Sequence, residues 1–308
     1  MVVAGIYRHL DRARYPGIAP FALIAVRVNI TDNVSENGSL MPTTIGTWLR
    51  NAPLGHLENR ILLTHALGLT RVQLITQTER VLSDPEETQL TELVRRRYDG
   101  EPIAYLVSMR EFYGLALEVT PDVLIPRHET ELLVELALQH LPNGGDVLDM
   151  GTGSGAIAIA IAHTQSDAKV TALDYSQAAL AVAQRNAMLH GAQVNFLQSD
   201  WYSALGNRQF EVIASNPPYI VKDDSHLSQG DLRFEPIDAL TDHADGFSAL
   251  RTITGGARQH LRTGGWLLME HGYDQAAAVR DLLTAHDFAE VQSWQDLAGI
   301  ERVSGGRI

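Results

Sequence analysis

The chain has no cysteine among its 308 residues, which excludes disulfides, thiolate zinc sites and a thiol nucleophile. Long apolar runs are missing as well. The stretch 21–26 is bounded by Pro20 and Arg27, far short of the roughly 20 residues that cross a bilayer. It also lacks the clear cleavage site and longer apolar region of a secretory signal. Basic residues are scarce: 24 Lys and Arg stand against 37 Asp and Glu, for a formal net charge of −13. The acid excess lies wholly after residue 40, because residues 1–40 carry four arginines against three acids. Such a surface repels phosphate backbones and favours a protein or small-molecule substrate over nucleic acid. The lack of cysteine fits a reducing compartment, and the cytoplasm is the expected location. With 45% apolar and 20% charged residues, the composition is that of a globular protein, and the length suits two domains.

Residues 1–40 lack helical periodicity and end in the polar stretch 31–39; they read as a disordered or non-native leader. Residues 41–100 read as a small helical domain. Ile45, Trp48 and Leu49 share one helical face, and Leu57, Ile61, Leu62 and Leu69 form a second apolar stripe with Gly68 near its end. Asp84-Pro85-Glu86-Glu87 predicts a helix start with Asp84 as N-cap, followed by Leu90, Leu93, Val94 and Arg97 at helical spacing. Across 101–125 the period changes. Leu115, Leu117 and Val119 alternate, and Gly114 and Pro121-Asp122 mark turns, which predicts a hairpin joining two domains. A helix is expected over 129–140. From residue 146 the order is strand, turn, helix, repeated. Strands are expected at 146–150, 169–173, 194–197, 210–214 and 266–269, helices at 156–163, 176–190, 247–261 and 275–286, and two terminal strands at 289–294 and 301–307. That alternation predicts an α/β fold, a doubly wound parallel sheet with helices on both faces.

Gly151-Thr152-Gly153-Ser154-Gly155 sits between the first of these strands and its helix. Glycines there permit a tight turn and close approach of backbone to a ligand. The spacing also satisfies a dinucleotide fingerprint, with Ala156 in the third place, so a nicotinamide or flavin dinucleotide and S-adenosylmethionine are both open. Asp149 before the turn and the absence of hydride-acceptor machinery lean to the latter. Asp174 ends the second strand, where a carboxylate can accept both ribose hydroxyls, each such bond worth roughly 1.5–3 kcal/mol; its competing role is a helix cap. Asp200-Trp201 follows the third strand, placed to reach an adenine amino group and cover its ring; for Trp201 the alternative is core packing.

Asn216-Pro217-Pro218-Tyr219 follows the fourth strand, at the carboxyl edge where ligands of open α/β sheets bind. Asn216 offers a side-chain carbonyl, Pro217 a backbone carbonyl and Tyr219 a flat face. Together they suit a planar NH2 group, with two acceptors for its hydrogens.

The chain resembles the release-factor glutamine N5-methyltransferases, the HemK or PrmC family, from about Met41 onward. The resemblance is carried by Gly100-Glu101-Pro102-Ile103-Ala104-Tyr105-Leu106, Arg110-Glu111-Phe112-Tyr113-Gly114 and Leu124-Ile125-Pro126-Arg127. It continues through Asp149-Met150-Gly151-Thr152-Gly153-Ser154-Gly155-Ala156-Ile157, Ser199-Asp200-Trp201 and Asn216-Pro217-Pro218-Tyr219-Ile220. Gln229-Gly230-Asp231-Leu232-Arg233-Phe234-Glu235-Pro236 and Glu270-His271-Gly272-Tyr273 complete it. His128 stands where the family usually has proline. The resemblance implies a helical substrate-recognition domain over 41–100, a hairpin linker over 101–125 and a Rossmann-like methyltransferase domain over 126–308. It implies S-adenosyl-L-methionine as donor, with S-adenosyl-L-homocysteine as product; that donor is an already activated sulfonium, so no metal is expected. The acceptor implied is the glutamine of the Gly-Gly-Gln motif in class 1 peptide chain release factors, so that the enzyme acts in translation termination. Gly151, Thr152, Gly153, Ser154, Gly155, Asp174, Trp201 and Asn216 would hold the donor. Asn216, Pro217, Pro218 and Tyr219 would hold the glutamine, with Asn216, Pro217 and Tyr219 catalytic. Arg127 lies in a family segment near that site. A monomer is expected.

An amide nitrogen is a poor nucleophile, so orientation and favourable charge at nitrogen are the expected catalytic devices. No general base stands out, and loss of the proton to water is expected; His128, His226 and His271 read as structural or surface residues. Three other readings compete. A nucleic-acid amino-methyltransferase would want a basic groove; a ribosomal-protein glutamine methyltransferase and a noncatalytic cofactor-binding protein are the others.

Overall fold

A computed structural model describes residues 42–308; the leader expected over 1–40 lies outside the described residues. The chain divides into two compact units between Asp99 and Gly100.

In the first unit four helices, α1 (Ile45–Asn51), α2 (His56–Leu67), α3 (Arg71–Thr76) and α4 (Asp84–Tyr98), bury Ile45, Trp48, Leu62, Leu63, Leu74, Leu90, Leu93 and Val94. Local signals set their ends. Gly68 takes the left-handed conformation that closes α2. Before α4 the cap is Ser83 rather than Asp84, one residue earlier than the sequence suggests. The reason is Glu86, whose carboxylate accepts from the Ser83 backbone N–H at 2.8 Å and from its hydroxyl at 2.9 Å. Glu86→Ala should cost about 1 kcal/mol, the usual worth of a cap, and lower the thermal midpoint; an unchanged midpoint would show that the capping box adds nothing. Leu57, expected in the core stripe of α2, is exposed. Asn59 is buried in that helix instead, its Nδ2 donating to the Leu54 carbonyl at 2.7 Å.

The second unit opens with the short helix α5 (Ile103–Leu106) and a hairpin, β1 (Met109–Phe112) and β2 (Leu115–Glu118). The strands pair antiparallel with Phe112 opposite Leu115, so only Tyr113 and Gly114 make the turn, both at positive φ. Phe112, Leu115 and Leu117 join a core cluster with α6 (Glu131–His140) and α7 (Ala156–Thr164).

The main sheet has seven strands: β3 (Asp146–Met150), β4 (Lys169–Asp174), β5 (Val194–Gln198), β6 (Phe210–Ser215), β7 (Leu261–Glu270), β8 (Ala289–Gln295) and β9 (Glu301–Arg307). Their order is β5-β4-β3-β6-β7-β9-β8. The first five run parallel, and β9 pairs antiparallel with both β7 and β8, a departure from the all-parallel expectation. Successive side chains leave a strand on opposite faces. Val147, Val212 and Leu268 therefore enter the core with α6 and α7. Leu148, Ile213 and Leu267 enter the other, with α10 (Ser248–His260) and α11 (Ala276–Ala285). Strand order reverses between β3 and β6, and the crevice at their carboxyl ends is where such sheets bind ligands. The remaining helices, α8 (Gln177–His190) and α9 (Ile237–Leu240), complete the fold. Among the described residues no helix is long and apolar enough to cross a membrane.

Candidate active site

The glycine turn leaves β3 and the Asn216 turn leaves β6, and these strands are direct neighbours. Both turns therefore face one crevice. It holds a cavity of about 550 Å³ whose walls include Gly151, Thr152, Gly153, Ser154, Asp174, Trp201, Asn216 and Pro218. A smaller cavity of about 70 Å³ is lined by Pro217 and Tyr219 and shares Leu124, Arg127, Asn216 and Ala239 with the first. The tetrapeptide thus divides between the two: Asn216 stands on both, Pro218 on the larger, Pro217 and Tyr219 on the smaller.

A nucleoside-bearing donor fits the larger cavity, whose volume suits a small-molecule ligand. At Gly151 and Gly153, both at positive φ, an added Cβ would meet no atom within 4 Å; a side chain there would protrude unopposed from the turn, and its absence bares the backbone. Gly155 does not line the cavity. It sits at the start of α7, where a Cβ would lie 2.7 Å from Ile159 Cδ1, so its place in the motif is explained by packing. Asp174 accepts from Gly153 N–H at 2.9 Å and from Ser176 N–H at 2.9 Å. Burial pushes its carboxyl above the usual range, opposed by these backbone N–H groups. Ser176 itself caps α8. Asp149 is fully buried, accepting from Thr152 Oγ1 at 2.6 Å and Ala158 N–H at 3.1 Å, and burial raises it to about 7. It braces the turn from behind. Trp201 lines the cavity and also packs against the second core.

Beside the smaller cavity, Asn216 Nδ2 donates to Thr130 Oγ1 at 3.1 Å. Tyr219 Oη donates to Glu270 Oε1 at 3.3 Å. Glu270 is buried, its Oε2 without a hydrogen-bond partner among the described residues. Burial raises this carboxyl to about 7, while the hydroxyls of Thr130 and Tyr219 favour its charged form. Burial likewise pushes the Tyr219 phenol upward, so it stays protonated. Gln275 Nε2 donates to the carbonyls of Tyr219 and Gly246, each at 3.2 Å. Tyr219 is therefore held at its hydroxyl by the last residue of β7 and at its carbonyl by the segment that follows.

Arg127 lines both cavities and is ion-paired with Glu235. Glu235 Oε2 also accepts from Ile125 N–H at 3.0 Å, which joins the Phe234-Glu235-Pro236 turn to the Ile125-Pro126-Arg127 segment. The three histidines considered line neither cavity. His128 and His226 are exposed beside Glu131 and Asp224. His271 is buried, its Nδ1 beside the Gly272 carbonyl and its Nε2 beside Ser304 Oγ.

Sequence reasoning did not assign Thr130, Glu235, Glu270 or Gln275. Only the position of Glu270, an acid closing the apolar run Leu267-Leu268-Met269, carries a local signal. Asn186 was missed too: it accepts from Glu118 N–H at 2.7 Å and donates to the Ser154 carbonyl at 2.9 Å, joining the hairpin to the glycine turn.

Gly246 supplies a direct test of the packing behind Tyr219. Its φ is +78°, and an added Cβ would lie 2.6 Å from the Tyr219 carbonyl oxygen. Gly246→Ala should displace the tetrapeptide and lower methyl transfer at least about tenfold, on strain of roughly 1–2 kcal/mol plus the clash. Donor affinity should change little; a parallel fall in donor affinity in calorimetry would contradict this.

A doubly wound sheet with a glycine turn and an Asn-Pro-Pro-Tyr turn side by side defines a methyltransferase. Two family models match the chain: the PrmC N-terminal domain over residues 48–107, and the methyltransferase small domain over 128–231, which contains both turns. A release factor glutamine methyltransferase of Burkholderia pseudomallei is 54% identical over 276 residues, covering 87% of this chain and 97% of its own length. Proteins of that description from Neisseria gonorrhoeae and Bordetella pertussis are 48% and 51% identical, each covering 86% of this chain and 97% and 99% of their own lengths. The chain belongs to the release factor glutamine methyltransferase family.

Proposed function

We propose that this enzyme methylates the side-chain amide N5 of the glutamine in the Gly-Gly-Gln motif of class 1 peptide chain release factors, modulating translation termination. S-Adenosyl-L-methionine supplies a methyl group already activated on sulfonium. Asp174 takes the ribose hydroxyls, the bare backbone of Gly151 and Gly153 admits close approach, and Trp201 covers the base. The observation that carries the acceptor assignment is the direction of the Asn216 amide. Its Nδ2 is spent on Thr130, so Oδ1 remains to accept an N–H.

Asn216 Oδ1 and the Pro217 carbonyl accept the two N–H bonds of the glutamine amide. This fixes the amide plane and favours positive charge growing on nitrogen. Tyr219, anchored through Glu270 and Gln275, lies against that plane. Orientation of this kind can lower a barrier by several kcal/mol, on the order of 7–11 at its upper end. The helical unit serves release-factor recognition, and the enzyme works as a monomer in the cytoplasm. The acidic balance of the chain supports a protein acceptor over a nucleic acid.

The test is incubation of the enzyme with isotopically labelled donor and a purified release factor, followed by mass mapping. Label on the Gly-Gly-Gln glutamine is the expected result. Label on another residue, or on RNA or DNA offered in parallel, would overturn the assignment.

A further inference from the structure

A chain of hydrogen bonds crosses the antiparallel edge of the sheet and ends at the carbonyl of Tyr219. It starts at Arg280 on α11, whose Nη1 donates to Ser293 Oγ on β8 at 2.6 Å and to Glu301 Oε1 at 3.0 Å. Ser293 Oγ stands 2.6 Å from Ser304 Oγ on β9, and Ser304 Oγ stands 2.8 Å from His271 Nε2. His271 Nδ1 lies 2.9 Å from the Gly272 carbonyl oxygen. His271 and Ser304 are both fully buried.

The two ends fix the direction of the chain. A guanidinium only donates and a carbonyl only accepts. Ser293 Oγ therefore receives from Arg280, and His271 Nδ1 carries a proton for Gly272. Between them each hydroxyl passes one proton on, Ser293 to Ser304 and Ser304 to Nε2. Every group is then satisfied with the imidazole neutral. The reverse order would bring two donors onto Ser293 and add a second cation to a chain that Arg280 already heads. Burial holds the imidazole below the ordinary histidine range, opposed by the Gly272 carbonyl and Glu301 and helped by Arg302 and Arg280.

Gly272 hands the constraint on. Its carbonyl also accepts from Gln275 N–H at 3.0 Å, and its own N–H donates to Gln275 Oε1 at 2.8 Å. With Oε1 engaged there, Gln275 Nε2 donates to the carbonyls of Tyr219 and Gly246, each at 3.2 Å. An amide turned the other way would set its oxygen against both carbonyls and its NH2 against an N–H.

We infer that His271 is a positioning residue for methyl transfer: its Nδ1 proton fixes the Gly272 peptide, which aims Gln275 at Tyr219 and so sets the turn 216–219. This rests on the proposed role of that turn in holding the acceptor. His271 lines neither cavity, so it acts through Gly272 and Gln275 alone.

Replacing the two ring nitrogens separately in the full-length enzyme supplies the test. An asparagine Nδ2 is as many bonds from Cα as histidine Nδ1, and a glutamine Nε2 as many as histidine Nε2. His271→Asn keeps a donor for Gly272 and should hold the single-turnover rate of release-factor methylation within about threefold of native. His271→Gln keeps a partner for Ser304 but not for Gly272, and should lower that rate about tenfold or more. Gln275→Glu sets a carboxylate oxygen against two carbonyls and should also lower it about tenfold or more. By calorimetry, S-adenosyl-L-homocysteine should bind each folded variant within about threefold of native. A merely structural histidine is indifferent to which nitrogen is replaced. Equal rates in the Asn and Gln variants, a native rate in Gln275→Glu, or a parallel fall in donor affinity would therefore overturn the inference. Failure of the native enzyme to methylate the release factor would instead remove the acceptor assignment beneath it.

Discussion

Replacing Asn216 by alanine should lower the rate of methyl transfer by about 100- to 1,000-fold, the range seen when one preorganised electrostatic partner of a transition state is removed. Donor affinity should fall far less, by roughly tenfold at most, because in the proposed reading the Asn216 oxygen serves the acceptor. The asymmetry is the content of the prediction. Asn216 stands on both cavities, so some loss on the donor side is expected. Its amide nitrogen, however, donates to Thr130, and in the proposed reading the remaining oxygen accepts from the acceptor amide. Single-turnover methylation of a release factor, set beside calorimetric titration of S-adenosyl-L-homocysteine, separates the two. Equal losses in both would move Asn216 from the acceptor site to the donor site.

The second large effect is expected at Asp174. Alanine there should weaken donor binding by about 100- to 10,000-fold, the sum of two charge-assisted hydrogen bonds at roughly 1.5–3 kcal/mol each. The carboxylate also receives the Gly153 and Ser176 N–H groups, so its removal loosens the glycine turn it should hold open. Asp174→Asn keeps the shape but loses the charge and should fall between alanine and the native residue. Calorimetry with S-adenosyl-L-homocysteine reads this without turnover. A dissociation constant within about threefold of native for Asp174→Ala would restrict the residue to a capping role.

Much of the second unit was legible because its strands and helices are bounded by strong punctuation. Strands β3 and β9 coincide with their sequence expectations, and β4, β5 and β6 differ by one residue at the end. What periodicity does not encode is direction. A run such as 289–294 reads as a strand whichever way its partner points, and only pairing with β9 makes this edge antiparallel. The same limit applies to faces. In α2 the stripe read from the sequence holds both Leu57 and Leu62, and the structure buries Leu62 with Leu63 and the polar Asn59 while leaving Leu57 in solvent. At the site, residues whose chemistry is local were readable: glycines in a turn, a carboxylate at a strand end, carbonyls flanking a proline. Thr130 and Glu235 were not, because each acquires its meaning from a partner about a hundred residues distant, Asn216 and Ile125 respectively. A threonine at the foot of a helix has many ordinary uses, and nothing nearby distinguishes this one.

The central claim is that two carbonyl oxygens hold the acceptor amide by its hydrogens. The most direct measurement is a crystal structure of the enzyme with S-adenosyl-L-homocysteine and a release factor. Hydrogen-bond contact, within about 3.2 Å, from the glutamine amide nitrogen to both Asn216 Oδ1 and the Pro217 carbonyl oxygen is the predicted result. A glutamine seated with its amide nitrogen away from that pair, or excluded from the cavity beside Tyr219, would contradict it.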